Sequence, residues 1–225
     1  MKPYLNKIYS STSFEEISST TDRLLMNQKD KAIIFDVGGV LLDYDRDILL
    51  NNISRMCNSQ TPAEMVASLI SQLELSRGVN TPRTLYDELK DNHGLSISFK
   101  VLASYWNGGL SSRDWVSDLL TDLSTHTTLI ILSDTNAMHW DHITDNILDL
   151  KPFSHVFVSH QSGMMKDSRA IFDLVIEKID FEPAQLLFID DTLSNTVHAS
   201  DSGMATHHFS DKNEMLAAIN EHLEN

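Results

Sequence analysis

Residues 35–43 read FDVGGVLLD, and the fold can be inferred outward from this stretch. The apolar residues that lead up to Phe35 are typical of a buried strand, and Asp36 stands at its tip. The glycines that follow allow a ligand to approach the backbone closely. The stretch therefore predicts a functional site at the end of a strand.

Short apolar runs of this kind recur along the chain, each bounded by polar or turn residues. Most are nearly continuous in apolar or β-branched residues, which is typical of strands buried on both faces of a parallel sheet. Helical patterns separate them, with Asp167 or Ser168 as the N-cap candidate of one helix. The alternation predicts an α/β fold with a doubly wound parallel sheet. The predicted strands are Ala32–Val37, Thr128–Ser133, His155–Ser159, Leu186–Asp190 and Ala205–Phe209.

The segment between the first two strands is too long for a simple crossover, and its sequence is helical throughout. Near its end, Ser111 with Asp114 is predicted to cap a helix that packs back on the sheet. We therefore predict an α/β core at 30–44 and 111–225, an all-helical cap at 45–110, and an N-terminal extension at 1–29 outside the core. Ligands of open α/β sheets bind at the edge where this insertion begins, so the cap is placed to act as a lid.

The composition of the 225 residues narrows the possible partners. Lys and Arg number 17 against 32 Asp and Glu, a net charge of −15, which argues against nucleic acid or an anionic membrane. A phosphate substrate is compatible with this charge, because a bound divalent cation can reverse the local field. The single cysteine, Cys57, fits a reducing compartment. No membrane span or secretory signal is evident, so we expect a cytoplasmic protein.

Polar residues cluster directly after the predicted strands. Asp36 ends the first strand, residues 133–136 end the second, Lys166 follows the third, and Asp190 and Asp191 end the fourth. The carboxyl ends of parallel strands share one edge of the sheet, so these residues converge there. A single aspartate at a strand end is often only a helix cap. Four clusters in this order predict a catalytic site.

The four clusters resemble the motifs of the haloacid dehalogenase-like (HAD) hydrolase superfamily. Motif I matches FDVGGVLLD, motif II ILSDTN, motif III GMMKDSRAIF and motif IV FIDDTLSN. The chain is similar to the branch of sugar-phosphate phosphatases and epoxide hydrolase N-terminal domains, which tolerates glycine at the second position of motif I. The resemblance implies a Rossmann-like core with a helical cap. It also implies a Mg²⁺-dependent phosphatase that hydrolyses a small phosphate monoester, such as a sugar phosphate, through an aspartyl-phosphate.

The residue types in the motifs suit this chemistry. Asp36 is the expected nucleophile, because a carboxylate can attack phosphorus and split one difficult displacement into two. Lys166 supplies a cation and Ser133 a hydroxyl donor for the phosphate oxygens, and Asp134 is assigned to the same phosphate site. Asn136 fits a helix cap and a supporting role in the site equally well.

Oxygen ligands for Mg²⁺ are expected at the same edge of the sheet. Mg²⁺ prefers hard oxygen ligands and keeps several waters. Asp36, the carbonyl of Gly38 and Asp191 suit it, with Asp190 as a further ligand or as a partner of the ligands. Asn195 lies four residues after Asp191 and is expected to orient ligands or water.

Gly38 departs from the usual pattern, because many phosphatases of the superfamily carry an aspartate two residues after the nucleophile. Loss of a general acid–base group typically costs about 10²–10⁴-fold in rate. Three explanations stay open. A substitute such as Asp43, Asp45 or an ordered water replaces the carboxylate; the substrate has an easy leaving group, such as a phenol or an anomeric hydroxyl; or the protein only binds.

Other functions share the same residues. A phosphotyrosine or phosphoprotein phosphatase would use the same chemistry under an open cap. A 2-haloacid dehalogenase would use Asp36 on carbon without a metal, but Asp190 and Asp191 beside the nucleophile are then electrostatically awkward. His139 and His142 are interpreted as part of a polar helix face rather than as metal ligands.

Overall fold

The computed structural model describes residues 31–225, so the predicted extension at 1–29 lies outside the described residues. None of the helices in this part of the chain is long and apolar enough to cross a membrane. The strands are β1 Ala32–Phe35, β2 Leu42–Tyr44, β3 Leu110–Ser112, β4 Thr128–Ser133, β5 Phe153–Val158, β6 Leu186–Asp190 and β7 Ala205–His208. The α-helices are α1 Arg46–Met56, α2 Ala63–Gln72, α3 Pro82–Asn92, α4 Phe99–Trp106, α5 Val116–Ser124, α6 Ala137–Asn146, α7 Ser159–Ser162, α8 Ala170–Lys178, α9 Leu193–Asp201 and α10 Lys212–Glu224.

The central sheet has five strands in the order β5-β4-β1-β6-β7. Every neighbouring pair is parallel, with β1 in the middle between β4 and β6. The chain fills one side of β1 first and the other side afterwards, which is the doubly wound topology that the sequence predicted. The direction reverses at β1, so the carboxyl ends of β1, β4 and β6 flank a crevice.

Alternate residues of the strands bury two hydrophobic layers, one on each face of the sheet. Ile33 and Phe35 belong to a layer that includes side chains of α5, α6 and α10. Ala32 and Ile34 belong to a second layer with α8 and α9. Because both faces are covered, the central strands β1, β4 and β6 are apolar at nearly every position. The predicted bounds of the five sheet strands differ from the observed ones by at most two residues.

The four helices α1–α4 lie between β2 and β3 and have a hydrophobic cluster of their own. Leu49, Leu85 and Trp106 are among its buried members, and Met138 of α6 joins it from the core. The inserted all-helical cap is therefore confirmed as part of the fold. The division of the chain at 44/45 and 110/111 stays a proposal.

A two-stranded antiparallel ribbon, β2–β3, connects the core to the cap. Ser111 pairs with Asp43 in this ribbon, so the prediction that Ser111 caps a helix is wrong. The helix that follows, α5, begins at Val116 without a side-chain cap. Strands of three residues are too short to produce a clear periodicity, which is why the sequence pattern did not reveal them.

Candidate active site

Asp36 follows β1 at the crevice and is buried. Its backbone N–H donates to the carbonyl of Ile189 at 2.9 Å, so the pairing with β6 continues past the end of the strand. Its carboxylate Oδ1 accepts the N–H of Val37 at 2.7 Å. The strand tip thus holds the carboxylate by one oxygen.

Lys166 reaches the same carboxylate from the loop after α7. Its Nζ lies 2.8 Å from Oδ1 of Asp36 and 2.6 Å from Oδ2 of Asp190. The side chain is only 1% exposed. Burial lowers the pKa of Lys166, but the carboxylates around it, led by Asp36, outweigh this and raise the pKa overall. The lysine is therefore a fixed cation between two carboxylates.

Asp190 is completely buried at the end of β6 and is saturated with hydrogen bonds. Its Oδ1 accepts the N–H of Thr192 at 2.7 Å. Asn195 donates its amide Nδ2 to both oxygens at 3.1 Å. Its supporting role in the site stays a prediction. Asp191, the next residue, is exposed toward solvent.

The carboxylates of Asp36, Asp190 and Asp191 each offer an oxygen within 4.8 Å of the others. Burial raises the pKa of Asp36 to about 7, although the Lys166 ammonium opposes the shift. Burial also raises the pKa of Asp191, and Asp190 adds to the effect. One ammonium does not balance three crowded carboxylates, so the set fits a divalent cation with a preference for hard oxygen ligands.

The loop after β4 contributes Ser133, Asp134 and Asn136. Ser133 is buried as the last residue of the strand. The carboxylate of Asp134 accepts the backbone N–H of Lys166 at 3.1 and 3.2 Å, so its side chain holds the lysine loop. Its assignment to the phosphate site stays a prediction. Asn136 caps α6 through its Oδ1, which accepts two backbone N–H groups at 3.1 Å. Of the two roles left open for Asn136, the structure shows the helix cap.

Comparison with known proteins agrees with this geometry. The model of the NLI interacting factor-like phosphatase family matches residues 83–225, more than half of the chain. The chain belongs to this family. The matched region includes Ser133, Lys166 and Asp190 and begins after Asp36. The resemblance to HAD-like hydrolases of the phosphatase class is thereby confirmed.

Relatives of the phosphatase agree with the family. A sesquiterpene phosphatase of Aspergillus oryzae is 26% identical over 188 residues, which cover 80% of this chain and 90% of the relative. A D-ribitol-5-phosphate phosphatase of Bacteroides thetaiotaomicron is 26% identical over 185 residues, covering 78% and 90%. A HAD family enzyme from the same bacterium, crystallised with magnesium and inorganic phosphate, is 26% identical with a TM-score of 0.73 over 82% of this chain and 98% of that one.

The two glycines of motif I differ sharply in the phosphatase. Gly39 has a φ of +81°, and a Cβ there would lie 2.0 Å from Oδ2 of Asp191, so only glycine fits. A Cβ on Gly38 would meet nothing closer than the Cβ of Tyr44, at 3.8 Å. Lack of space therefore does not explain the absence of a carboxylate at position 38. The Gly38 carbonyl stays a predicted metal ligand.

Both predicted substitutes for the missing carboxylate are engaged elsewhere in the phosphatase. Asp43 pairs with Arg113, whose Nε and Nη2 lie 2.9 and 2.7 Å from its Oδ1. Asp45 caps α1 and accepts the N–H groups of Asp47 and Ile48. The described contacts bring neither carboxylate into the Asp36–Lys166 cluster.

The cap contacts the core at two places near the site. Arg77 forms an ion pair with Asp167, the residue after Lys166. The helix α8 begins at Ala170 after Arg169, so neither Asp167 nor Ser168 is its N-cap, contrary to the sequence prediction. At the second contact, Nδ1 of His139 lies 2.9 Å from Oδ1 of Asn107.

The prediction that His139 lies on a polar helix face is wrong, because the cap covers it. Its ring packs against Tyr44 and Trp106, with centroids 5.5 and 5.4 Å away. Burial lowers the pKa of His139 to about 3, so its imidazole is neutral near pH 7. Sequence reasoning missed both this contact and Arg77–Asp167, since no local pattern shows which core residues a cap will cover. His142 follows the prediction and remains on the outer side of α6.

Proposed function

We propose that this chain is a Mg²⁺-dependent phosphatase that hydrolyses the phosphate monoester of a small molecule through an aspartyl-phosphate on Asp36. The observation that carries the proposal is the Lys166 ammonium held between Asp36 and Asp190, with Asp191 beside them. The sesquiterpene phosphatase and the D-ribitol-5-phosphate phosphatase named above act, by their names, on small phosphorylated compounds.

The described contacts support a role for each side chain. Oδ1 of Asp36 is occupied by Val37 and Lys166, so Oδ2 is the oxygen that attacks phosphorus. Lys166 neutralises negative charge on the phosphate oxygens, and the Ser133 hydroxyl donates to them. The P–O bond to the leaving group breaks as the bond to Asp36 forms, and water then attacks phosphorus and releases the aspartate.

Asp36 and Asp191 would hold Mg²⁺, together with the carbonyl of Gly38 and with Asp190 as a further ligand or partner. When bound, the ion supplies positive charge that stabilises the negative charge on the transferring phosphoryl group. Asn195 and Thr192 keep Asp190 in place through the hydrogen bonds described above.

Gly38 favours substrates whose leaving group needs little protonation. Since Asp43 and Asp45 are occupied, we expect aryl or anomeric phosphates to be better substrates than ordinary alkyl phosphates. A series of phosphate monoesters at fixed pH measures this preference. A rate that does not change with the pKa of the leaving alcohol would contradict it.

The test of the proposed function is Mg²⁺-dependent hydrolysis of phenyl phosphate. Asp36→Asn should lower kcat by at least about 10³-fold, and chelation of the metal should have a similar effect on the unaltered protein. Asp43→Asn is the matched control, because Asp43 pairs with Arg113 outside the cluster, and it should keep most of the activity. Full activity of the Asp36→Asn protein would refute the assignment of Asp36 as the nucleophile.

The other functions considered from the sequence stay predictions. A phosphoprotein phosphatase and a 2-haloacid dehalogenase would each use Asp36 as the nucleophile. A binding protein without turnover would need no nucleophile. The expected cytoplasmic location is likewise a prediction. A screen of phosphorylated metabolites, phosphotyrosine peptides and 2-haloacids distinguishes these functions from the proposed one.

A further inference from the structure

Four polar side chains near the active site already have hydrogen-bond partners within the protein. Asn195 donates to Asp190, and Asp134 accepts from the Lys166 backbone. Asn136 caps α6, and Asn107 pairs with His139. A substrate with many hydroxyl groups would need free hydrogen-bonding side chains, because a buried hydroxyl without a partner weakens binding.

Three large apolar side chains near residues of the site are exposed. Leu193 is 61% exposed and begins α9, two residues after Asp191. Met164 is 38% exposed and lies two residues before Lys166. Isolated apolar side chains are ordinary on a protein surface. These, however, stand on separate segments that each adjoin a residue of the site.

Tyr44 is the third such side chain and lies next to Gly38, the position at which this chain departs from the usual motif. It is 40% exposed, and its Cβ is the atom closest to where a side chain at position 38 would begin. Its ring meets the edge of His139, and its neighbour Asp45 donates a backbone N–H to the carbonyl of Gly109 in the cap at 2.8 Å. The ring of Tyr44, packed against His139, thus lies beside the position where other members of the superfamily carry a carboxylate.

We propose that Tyr44, Met164 and Leu193 form an apolar subsite for the leaving group, so that the preferred substrate is the phosphate monoester of a hydrophobic alcohol or phenol. The inference rests on the proposed function and names its substrate class. The phosphate binds at Lys166, and the apolar group extends toward the exposed side chains. Binding removes apolar surface from water on both partners, which favours longer and less polar leaving groups.

A series of 4-alkylphenyl phosphates tests this class directly, because lengthening the alkyl chain changes the apolar area while leaving the acidity of the phenol nearly constant. We expect kcat/KM, measured with Mg²⁺ below the micelle concentration, to rise by about twofold per methylene, or about tenfold from methyl to butyl. Ribitol 5-phosphate should be a poorer substrate than any member of the series. A flat series, or a preference for ribitol 5-phosphate, would overturn the inference.

Variants of the subsite make the test specific to these residues. Leu193→Asn and Tyr44→Ala should each lower the butyl-to-methyl ratio by about threefold. Val197, 51% exposed and one turn further along α9, is the matched control for Leu193, and Tyr105 of the cap is the control for Tyr44. Val197→Asn and Tyr105→Ala should leave the ratio unchanged. A ratio of two rates does not depend on how much of each variant folds.

The outcomes separate the two proposals. Hydrolysis of 4-methylphenyl phosphate that depends on Asp36, with a ratio equal in all variants, would refute the apolar subsite and leave the phosphatase intact. Absence of Asp36-dependent hydrolysis would refute the proposed function, and this inference with it.

Discussion

Replacement of Gly38 by aspartate should restore a general acid–base group to this phosphatase. The new Cβ would have Tyr44 at 3.8 Å as its nearest neighbour, and the backbone at position 38 does not have the positive φ that favours glycine. The substitution should therefore cost little folding free energy. Its carboxylate would begin two residues after Asp36, where superfamily members with the usual motif carry theirs.

The expected gain depends on the leaving group. A general acid contributes about 10²–10⁴-fold, so we expect kcat for an alkyl phosphate to rise by about 10²-fold, or about 2.7 kcal/mol of transition-state stabilisation. A nitrophenyl phosphate needs no proton on its leaving group and should change by less than about threefold. Rates for a series of alkyl and aryl phosphates, plotted against leaving-group pKa, should show a flatter slope for the Gly38→Asp protein than for the unaltered one.

Gly39→Ala is the matched control for this substitution. It would place a Cβ 2.0 Å from Asp191 at a φ of +81°, so it should destabilise the fold by about 1–3 kcal/mol and weaken the response to Mg²⁺. A Gly38→Asp protein that folds normally but hydrolyses alkyl phosphates no faster would refute the idea that this position lacks only a carboxylate.

Two further predictions follow from the buried titratable groups His139 and Lys166. The pKa of His139 is 6.5 in its ordinary state and about 3 in the folded protein, so below pH 6.5 the unfolded chain binds a proton that the native protein does not. The free energy of unfolding should therefore fall by about 2 kcal/mol between pH 6.5 and pH 5. Urea titrations should show a smaller loss for His139→Gln than for the unaltered protein. Equal losses in the two proteins would contradict the burial of the neutral ring. Lys166→Met should leave Asp36 and Asp190 without their ammonium partner. In the absence of metal, this should lower the free energy of unfolding by about 3 kcal/mol, and Mg²⁺ should restore part of the loss. A thermal midpoint equal to that of the unaltered protein would contradict the role of the ion pair.

Local sequence patterns were sufficient for the sheet and for the core of the site. β1, β4 and β6 are buried on both faces, so their apolar runs are continuous and their ends are marked by polar residues. Once the strands are parallel, Asp36, Ser133 and Asp190 must meet at one edge, whatever the loops between them do. For this reason the convergence of Asp36, the lysine and the carboxylate cluster could be predicted without coordinates.

Contacts between distant segments could not be predicted in this way. Asp43 was a reasonable substitute acid by position, but Arg113, which is 70 residues away, holds it in the β2–β3 ribbon. His139 was expected on a polar face, yet Asn107 and Trp106 of the cap cover it. Each of these outcomes depends on how the cap packs on the core, and such packing leaves no periodic signal in the chain.

The stretch FDVGGVLLD shows the division most clearly. Its sequence alone determined a strand that ends in an aspartate and a turn rich in glycine, because hydrophobic periodicity and backbone freedom are local properties. Only the tertiary structure decided that Gly39 is obligatory and Gly38 is not, because Asp191 packs against one glycine and Tyr44 leaves room beside the other. Steric exclusion depends on neighbours in space, which the order of residues does not specify.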